Sequence, residues 1–424
     1  MEILKENVSI KLTDGRKVKV GKLLGEGAQG SVFKATVDGI DYALKWYKQC
    51  PSEKFITNLA HNVAEGAPSS QFLWPVGVTR YLKGSMGYLM PLRPEGFYEF
   101  SKFRLAKVRF ASLRAIINAA IETCTAFKYL HAKGLSFQDI NDGGFFINPN
   151  DGHVLICDCD NVFPHGDNSG ILGKARYTAP EIVKGERMPD SYSDRFSMCV
   201  MLFMFFCLDH PFEGLNVVRR PCMTEAIERC VFGDEICFIF DSNDTRNRPV
   251  RNIHRNAIAL WKMVPESIKA AFLEEFSHER ILKPESRRTE MQWIDIFSQV
   301  RDKLTLCPKC GDEIVADGIS KCLNPACNAT CLPALSMISG NRKIPMLNGS
   351  LIYLTDHSSA AGAVLSKPGE PSKVLIKNLS AKNWSVTTPS GRTIEVVPGS
   401  FMPVRSNLQI SVIENNSPIK FQIQ

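Results

Sequence analysis

The chain lacks a long hydrophobic run. Its most apolar stretch, Phe196 to Leu208, is 13 residues long, too short to cross a bilayer and suited to a buried core helix. The first residues, MEILKENVSIKLTDG, carry charges where a secretory leader needs an apolar segment. A stripe of Lys and Arg with interleaved aromatics is also missing, and the net charge is a mild +7. That argues against nucleic acid as a partner but suits an anionic ligand. No long internal repeat or low-complexity tract interrupts the sequence. These absences predict a cytoplasmic protein with no membrane partner. Cysteine is not scarce. In a reducing compartment the 14 cysteines are expected to be thiols, and a tight cluster of them signals metal rather than disulfides.

With 44% hydrophobic and 22% charged residues over 424 positions, the composition is that of a soluble globular protein of two or three domains. VSIKL (8–12) and RKVKV (16–20) alternate apolar and polar about Thr13-Asp14-Gly15, which predicts a hairpin. Three more strand candidates fill residues 23–47, broken by a glycine run and by Asp38-Gly39, and a helix is expected over 53–65. Phe72 to Val78 and Gly87 to Met90 read as further strands. After residue 111 the period changes. Leu113, Ile116, Ile117, Ala120, Ile121, Cys124, Phe127 and Leu130 recur at three- and four-residue steps, which makes one apolar helical face. The helical part ends near Lys303. Residues 307–331 hold five of the cysteines, residues 333–350 look like a linker, and 351–424 return to short strand-like runs that suggest a small β-sandwich or barrel.

Five motifs occur in order within the first 290 residues: Gly25-Glu26-Gly27-Ala28-Gln29-Gly30, then Tyr42-Ala43-Leu44-Lys45, then Asp139, then Asp158, then Ala179-Pro180-Glu181. Each alone is weak, since a lone glycine run can be a plain turn or a dinucleotide-binding loop. The segment after Gly30 is strand-like, not helical, which argues against the latter. Together the five resemble the protein kinase fold. The resemblance implies that Gly25, Gly27, Gly30, Val32, Ala43 and Met90 enclose ATP and that Lys45 pairs its phosphates. It implies that Asp139 accepts or orients the proton of the substrate hydroxyl and that Asp158 holds Mg2+ or Mn2+. Glu181 is expected to pair with a buried arginine, for which Arg287 fits. Asp194 matches the aspartate that opens the central helix of the large lobe, and it could equally cap that helix.

Several positions depart from the kinase pattern. Gln138 stands where an arginine precedes the catalytic Asp, Asn141 where a lysine often follows it, and Gly144 where a metal-binding Asn is expected. Asp160 replaces the glycine after Asp158, so the second metal ligand is left open among Asp142, Asp160 and Asn161. The glutamate that should pair with Lys45 is also open: Glu65 and Glu53 are candidates, while spacing points nearer His61, Asn58 and Asn62. Because Gln138 has no charge to hold a phosphate, phosphorylation at Ser169 or Thr178 is not expected to be needed for activity.

Gly134 to Pro149, Val154 to Val162 and His210-Pro-Phe-Glu-Gly214 resemble a bacterial group of kinase-like proteins associated with tellurite-resistance and stress-response gene clusters. Some members of that group carry a zinc ribbon after the kinase. The resemblance implies Ser/Thr phosphoryl transfer to a protein substrate, with a von Willebrand A-domain protein and a metal-dependent protein phosphatase as partners. Cys307-Pro308-Lys309-Cys310-Gly311 is a zinc-knuckle sequence, followed after eleven residues by Cys322 and then Cys327. Four thiolates suit a closed, structural Zn2+ site, and Cys331 could replace Cys327. Trp384 and Phe401 read as core of the tail.

The expected fold is α+β: a bilobal protein kinase-like domain over 1–304 (small lobe about 8–95, large lobe about 96–304), a zinc ribbon over 305–332, a linker over 333–350 and an all-β domain over 351–424. The leading functional expectation is an ATP- and magnesium-dependent protein kinase. The alternative is a pseudokinase scaffold that binds nucleotide or partners without catalysis. A small-molecule phosphotransferase is disfavoured by the Ala-Pro-Glu segment and Arg287.

Overall fold

The computed structural model describes residues 4–82, 84–168, 170, 172–322, 324, 326–355, 359–367 and 370–424. By compactness the chain divides into two units, one made of the residues up to Phe110 with Glu122–Ile258 and Phe272–Glu290, the other of Ala111–Ile121, Ala259–Ala271 and Met291–Gln424. This division differs from a boundary near residue 304, because pieces of four helices go with the C-terminal strands.

The first unit begins with a six-stranded sheet, β1 (Ser9–Lys11), β2 (Lys17–Glu26), β3 (Gly30–Val37), β4 (Ile40–Tyr47), β5 (Gly77–Val78) and β6 (Gly87–Pro91), in the order β1-β2-β3-β4-β6-β5. Alternation sets its faces: Phe33, Ala35 and Val37 on β3 are buried, while the residues between them are only partly so. A helix, α1 (Glu53–Glu65), follows β4; Ser52 caps it by accepting from the Phe55 amide, and Phe55 and Leu59, one turn apart, are buried. The strand expected from Phe72 shrinks to Gly77–Val78. Pro75 cannot donate to a ladder, and Phe72 makes only an isolated bridge to Ile156.

The helical part contains the helix Ser191–Cys207, whose residues from Phe196 to Cys207 are all buried, as a 13-residue apolar run in a globular core should be. Its cap is Asp190, which accepts from the Tyr192 and Ser193 amides in a capping box. Asp194, one candidate for that cap, is turned to another task described below. The helix Leu113–Ala132 buries Ile117, Ala120, Ile121, Cys124, Phe127 and Leu130. Among the described residues no helix is long and apolar enough to cross a membrane.

In the second unit, two antiparallel sheets of six and four strands form a sandwich around Met337, Ile344, Ile352, Val364, Ile376 and Trp384. Residues 336–345, read from the sequence as linker, are the hairpin Ser336–Ser339/Arg342–Pro345, joined to the last strand, Ser417–Ile423. Its strands are only four residues long, which hides their alternation, yet Met337 and Ile344 are fully buried. Trp384 is core as expected. Phe401 is not: it is 53% exposed, with the Lys377 ammonium 5.5 Å from its ring centroid. Arg342 forks onto the buried carboxylate of Asp302 at 2.7 and 2.9 Å.

Candidate active site and cysteine cluster

The glycine run lies between β2 and β3, with the turn at Gly27–Gln29 closed by a 2.8 Å bond from the Gly27 amide to the Gly30 carbonyl. At Gly30 only glycine fits, because a Cβ would stand 2.4 Å from the Trp46 carbonyl oxygen. Gly25 faces open space, and a Cβ on Gly27 would only touch the Gly30 carbonyl oxygen at 3.8 Å. Val32, Ala43 and Met90 share one apolar cluster with Leu155, and register explains it: Val32 pairs with Lys45 on β4, and Ala43 pairs with Met90 on β6.

Lys45 is buried. Its Nζ donates to both oxygens of Asp160 at 2.9 and 3.1 Å, to Asp158 Oδ1 at 3.1 Å and to Gln29 Oε1 at 3.4 Å. Glu65 and Glu53 are exposed and are not among these partners. The partner sought on α1 comes instead from Asp160, two residues beyond Asp158. The same carboxylate, fully buried, accepts from the Tyr47 hydroxyl at 2.7 Å and the Tyr88 hydroxyl at 2.9 Å. Burial alone would raise the Asp160 carboxyl, but the Lys45 ammonium and the two phenols hold it below the usual carboxylate range. Asp160 is therefore committed and does not offer a free oxygen to a second metal ion. Of the other two candidates, Asp142 is paired with Arg104, while Asn161 is buried with its Oδ1 accepting no hydrogen bond. Helix α1 contributes Asn58 and Asn62, whose amides both donate to the Val162 carbonyl at 2.7 and 3.0 Å.

Asp139 and Asp158 flank the same site. Asp158 follows the strand Val154–Ile156 in a left-handed conformation (φ 60°), with its side chain 40% exposed. Gln138, beside Asp139, is also left-handed (φ 67°); non-glycine residues of this kind gather at functional loops. Burial raises the Asp139 carboxyl to about 6, with Lys174 opposing and Asp158 reinforcing the shift, which sets a proton acceptor near neutrality. Asn141 donates to the Asp139 carbonyl at 3.0 Å and to its carboxylate at 3.3 Å.

Asp194 fixes this loop from below, accepting from the Phe137 and Gln138 amides at 2.6 and 3.1 Å. His131 bridges Asp194 (3.1 Å) and Glu290 (2.9 Å). Burial opposes its charge, yet the two carboxylates lift its pKa to about 9. Glu181 and Arg287, both buried, form the expected bidentate pair at 2.8 Å on each arm. The Gln138 amide nitrogen donates to the Asp167 carbonyl at 2.6 Å, while its oxygen accepts from Asn168 at 2.9 Å. A neutral side chain thus holds the segment directly; Ser169 lies outside the described residues.

Gly144 is buried but not crowded: a Cβ there would meet its nearest atom, the Cys157 carbonyl oxygen, at 3.7 Å. Tyr47, Tyr88, Gln29 and Lys174 were not among the expected site residues. Period-2 reasoning holds the signal for the tyrosines, since Tyr47 shares the face of Lys45 two residues on and Tyr88 pairs with Lys45 in register.

In the second unit, the Sγ atoms of Cys307, Cys310, Cys322 and Cys327 all lie within 4.8 Å of one another. Cys307 and Cys327 are 3.6 Å apart and Cys310 and Cys322 are 3.5 Å apart. Tetrahedral zinc with Zn–S bonds of about 2.3 Å needs sulfurs roughly 3.8 Å apart, so the four residues fit the ion. Two short hairpins, Leu304–Leu306/Glu313–Val315 and Ser320–Lys321/Thr330–Cys331, carry them. The amides of Cys310 and Lys309 donate toward the Cys307 sulfur and pull its pKa down to about 6. Cys331 is buried outside the four-sulfur set.

Comparison with known proteins agrees with this geometry. Residues 99–264 match the protein kinase domain family. The chain is 30% identical to mouse protein kinase C delta type over 203 residues, 46% of this chain and 29% of that protein. It is 22% identical to the protein kinase YegI of Escherichia coli over 324 residues, 72% of this chain and 48% of YegI. With the probable serine/threonine-protein kinase kinY of Dictyostelium discoideum it shares 24% over 256 residues, 55% of this chain and 41% of that one. The chain therefore spans under a third of the protein kinase C relative and about half of YegI. Residues 99–264 are thus similar to protein kinase domains, in a chain of mixed α/β content that continues into a cysteine cluster able to hold a metal and then all-β sheets.

Proposed function

We propose that this chain is an ATP-dependent protein kinase that phosphorylates Ser/Thr hydroxyls of a protein partner. The observation that carries the reading is the convergence of Lys45 from the small-lobe sheet on Asp158, beside an Asp139 whose carboxyl titrates near 6. ATP would lie with its adenine against Val32, Ala43 and Met90 and its phosphates under the Gly25–Gly30 turn, near Lys45. Bound Mg2+ or Mn2+ supplies charge neutralisation of the phosphates, and Asp158 is the residue to hold it. In the transfer, the substrate hydroxyl oxygen bonds to the γ-phosphorus as the bond to the β,γ-bridging oxygen breaks. ADP leaves with that electron pair, and Asp139 takes the hydroxyl proton.

We assign the kinase part to about 1–304, with structural Zn2+ on the four cysteines in 305–332 and the β-sandwich as a partner-docking module. The motif resemblance supports a bacterial stress or tellurite-resistance signalling setting, with a von Willebrand A-domain protein and a metal-dependent phosphatase as partners. Gly144 favours the second reading, a nucleotide-binding scaffold without catalysis, because it offers no metal-ligating side chain. Mass-spectrometric mapping of phosphosites after incubation with ATP separates the two. New phosphoserine or phosphothreonine, lost in Asp139→Asn, supports the kinase; ATP binding without any new phosphosite supports the scaffold.

A further inference from the structure

The cations around the site differ in what they touch. Lys45 is held by Asp160 and Asp158, Arg104 by Asp142, and Arg176 by Glu213. Lys174 is exposed, and its ammonium donates at 2.9 Å to Asn141 Oδ1, a neutral amide oxygen. Asn141 in turn donates to Asp139, so one amide links the lysine to the candidate base. An ammonium bound to an amide keeps its full charge for an incoming anion, whereas one bound to a carboxylate has spent most of it.

The backbone places Lys174 there. Gly173 is left-handed (φ 77°), and a Cβ on it would come within 3.1 Å of the Gln138 carbonyl and 3.6 Å of Asp139 Oδ1. The segment thus lies directly against the loop carrying Asp139. The amides of Tyr177 and Thr178 and the Thr178 hydroxyl all bond the Lys174 carbonyl at 2.8 to 3.2 Å, which fixes the main chain under the side chain.

We infer that Lys174 is a further catalytic residue, whose ammonium, held by Asn141, contacts the γ-phosphoryl group as it passes to the substrate hydroxyl. This rests on the kinase reading above and names a residue within that site. Lys174 transfers no proton or electron pair. It balances the charge that builds on the equatorial phosphoryl oxygens while the bond to the attacking oxygen forms and that to ADP breaks. Such preorganised charge acts chiefly in the transition state.

The test compares steady-state phosphoryl transfer to a Ser/Thr substrate protein by wild type, Lys174→Ala, Lys174→Arg and the double variant Asn141→Lys/Lys174→Ala, with ATP affinity measured separately. Loss of the ammonium should lower kcat by about 100- to 1,000-fold while ATP affinity changes less than threefold. The arginine variant should keep a substantial part of the rate, and the double variant should recover at least tenfold over Lys174→Ala. A Lys174→Ala enzyme with wild-type kcat overturns the assignment and leaves the kinase reading standing. Absence of transfer by wild type, with ATP still bound, overturns both.

Discussion

Asp160→Asn is the sharpest perturbation of the lysine's surroundings. The substitution keeps shape but removes charge from a fully buried group that accepts four hydrogen bonds, two from Lys45 and one each from Tyr47 and Tyr88. The Lys45 ammonium would retain Asp158 at 3.1 Å, a partner far more exposed than Asp160. Breaking a buried pair by removing one member costs about 3–5 kcal/mol. The remaining contact with Asp158 and the surviving amide oxygen put the expected loss at the lower end, about 3 kcal/mol. For a unit of this size that corresponds to a fall in Tm of roughly 6–12 °C. The released lysine should also bind ATP phosphates in a less fixed position, raising the KM for ATP at least fivefold. Thermal unfolding at neutral pH and ATP titration measure both. Glu65→Gln is the control and should melt with wild type, since Glu65 is exposed. If Asp160→Asn melts within 2 °C of wild type with an unchanged KM, the assignment of Asp160 as the lysine's structural partner is wrong.

The other predictions concern separate sites. His131 titrates near 9 when folded against an ordinary 6.5, so its stabilisation is complete below pH 6.5 and is lost as pH rises through 9. Counted once for the His131–Asp194–Glu290 set, this amounts to on the order of 3 kcal/mol. Denaturant titrations between pH 6.5 and 9.5 should show a steeper loss in wild type than in His131→Gln, and parallel curves would refute it. Metal analysis should find one zinc per chain, lost in Cys307→Ser and Cys327→Ser but kept in Cys331→Ser; zinc that follows Cys331 instead would exchange the roles of Cys327 and Cys331. Gly144→Asn should fold normally, because its Cβ has 3.7 Å of clearance, and should raise phosphoryl transfer severalfold by adding a metal ligand. An unchanged rate would show that the site works without one there.

Much of this was legible in the sequence because the elements involved are local and periodic. The hairpin at Thr13–Gly15, the helix over 53–65 and the buried run after Phe196 follow from turn residues and spacing alone. The bidentate Glu181–Arg287 pair was legible from motif order. What escaped the sequence depends on tertiary approach. Asp160 sits beside Lys45 only because the turn after Asp158 carries it inward (Cys159 to Asn161 are all buried). Lys174 reaches Asn141 only because Gly173 lets two loops touch. Asp194 matched the aspartate that opens the central helix, with a cap as its other possible role; only the structure shows that Asp190, one turn earlier, holds the cap and leaves Asp194 to the loop amides. The hairpin at 336–345 was missed because four-residue strands give too few alternations to separate from a linker, and the exposure of Phe401 could not be read without knowing which face of its strand packs.

The most direct test is transfer of label from γ-labelled ATP, with magnesium and separately manganese, to the protein itself and to the von Willebrand A-domain protein proposed as its partner. Wild type would be assayed beside Asp139→Ala and Asp158→Ala. Incorporation by wild type that both substitutions abolish is the predicted result. No incorporation with either metal, from a protein shown to bind ATP, would contradict the account and leave a scaffold.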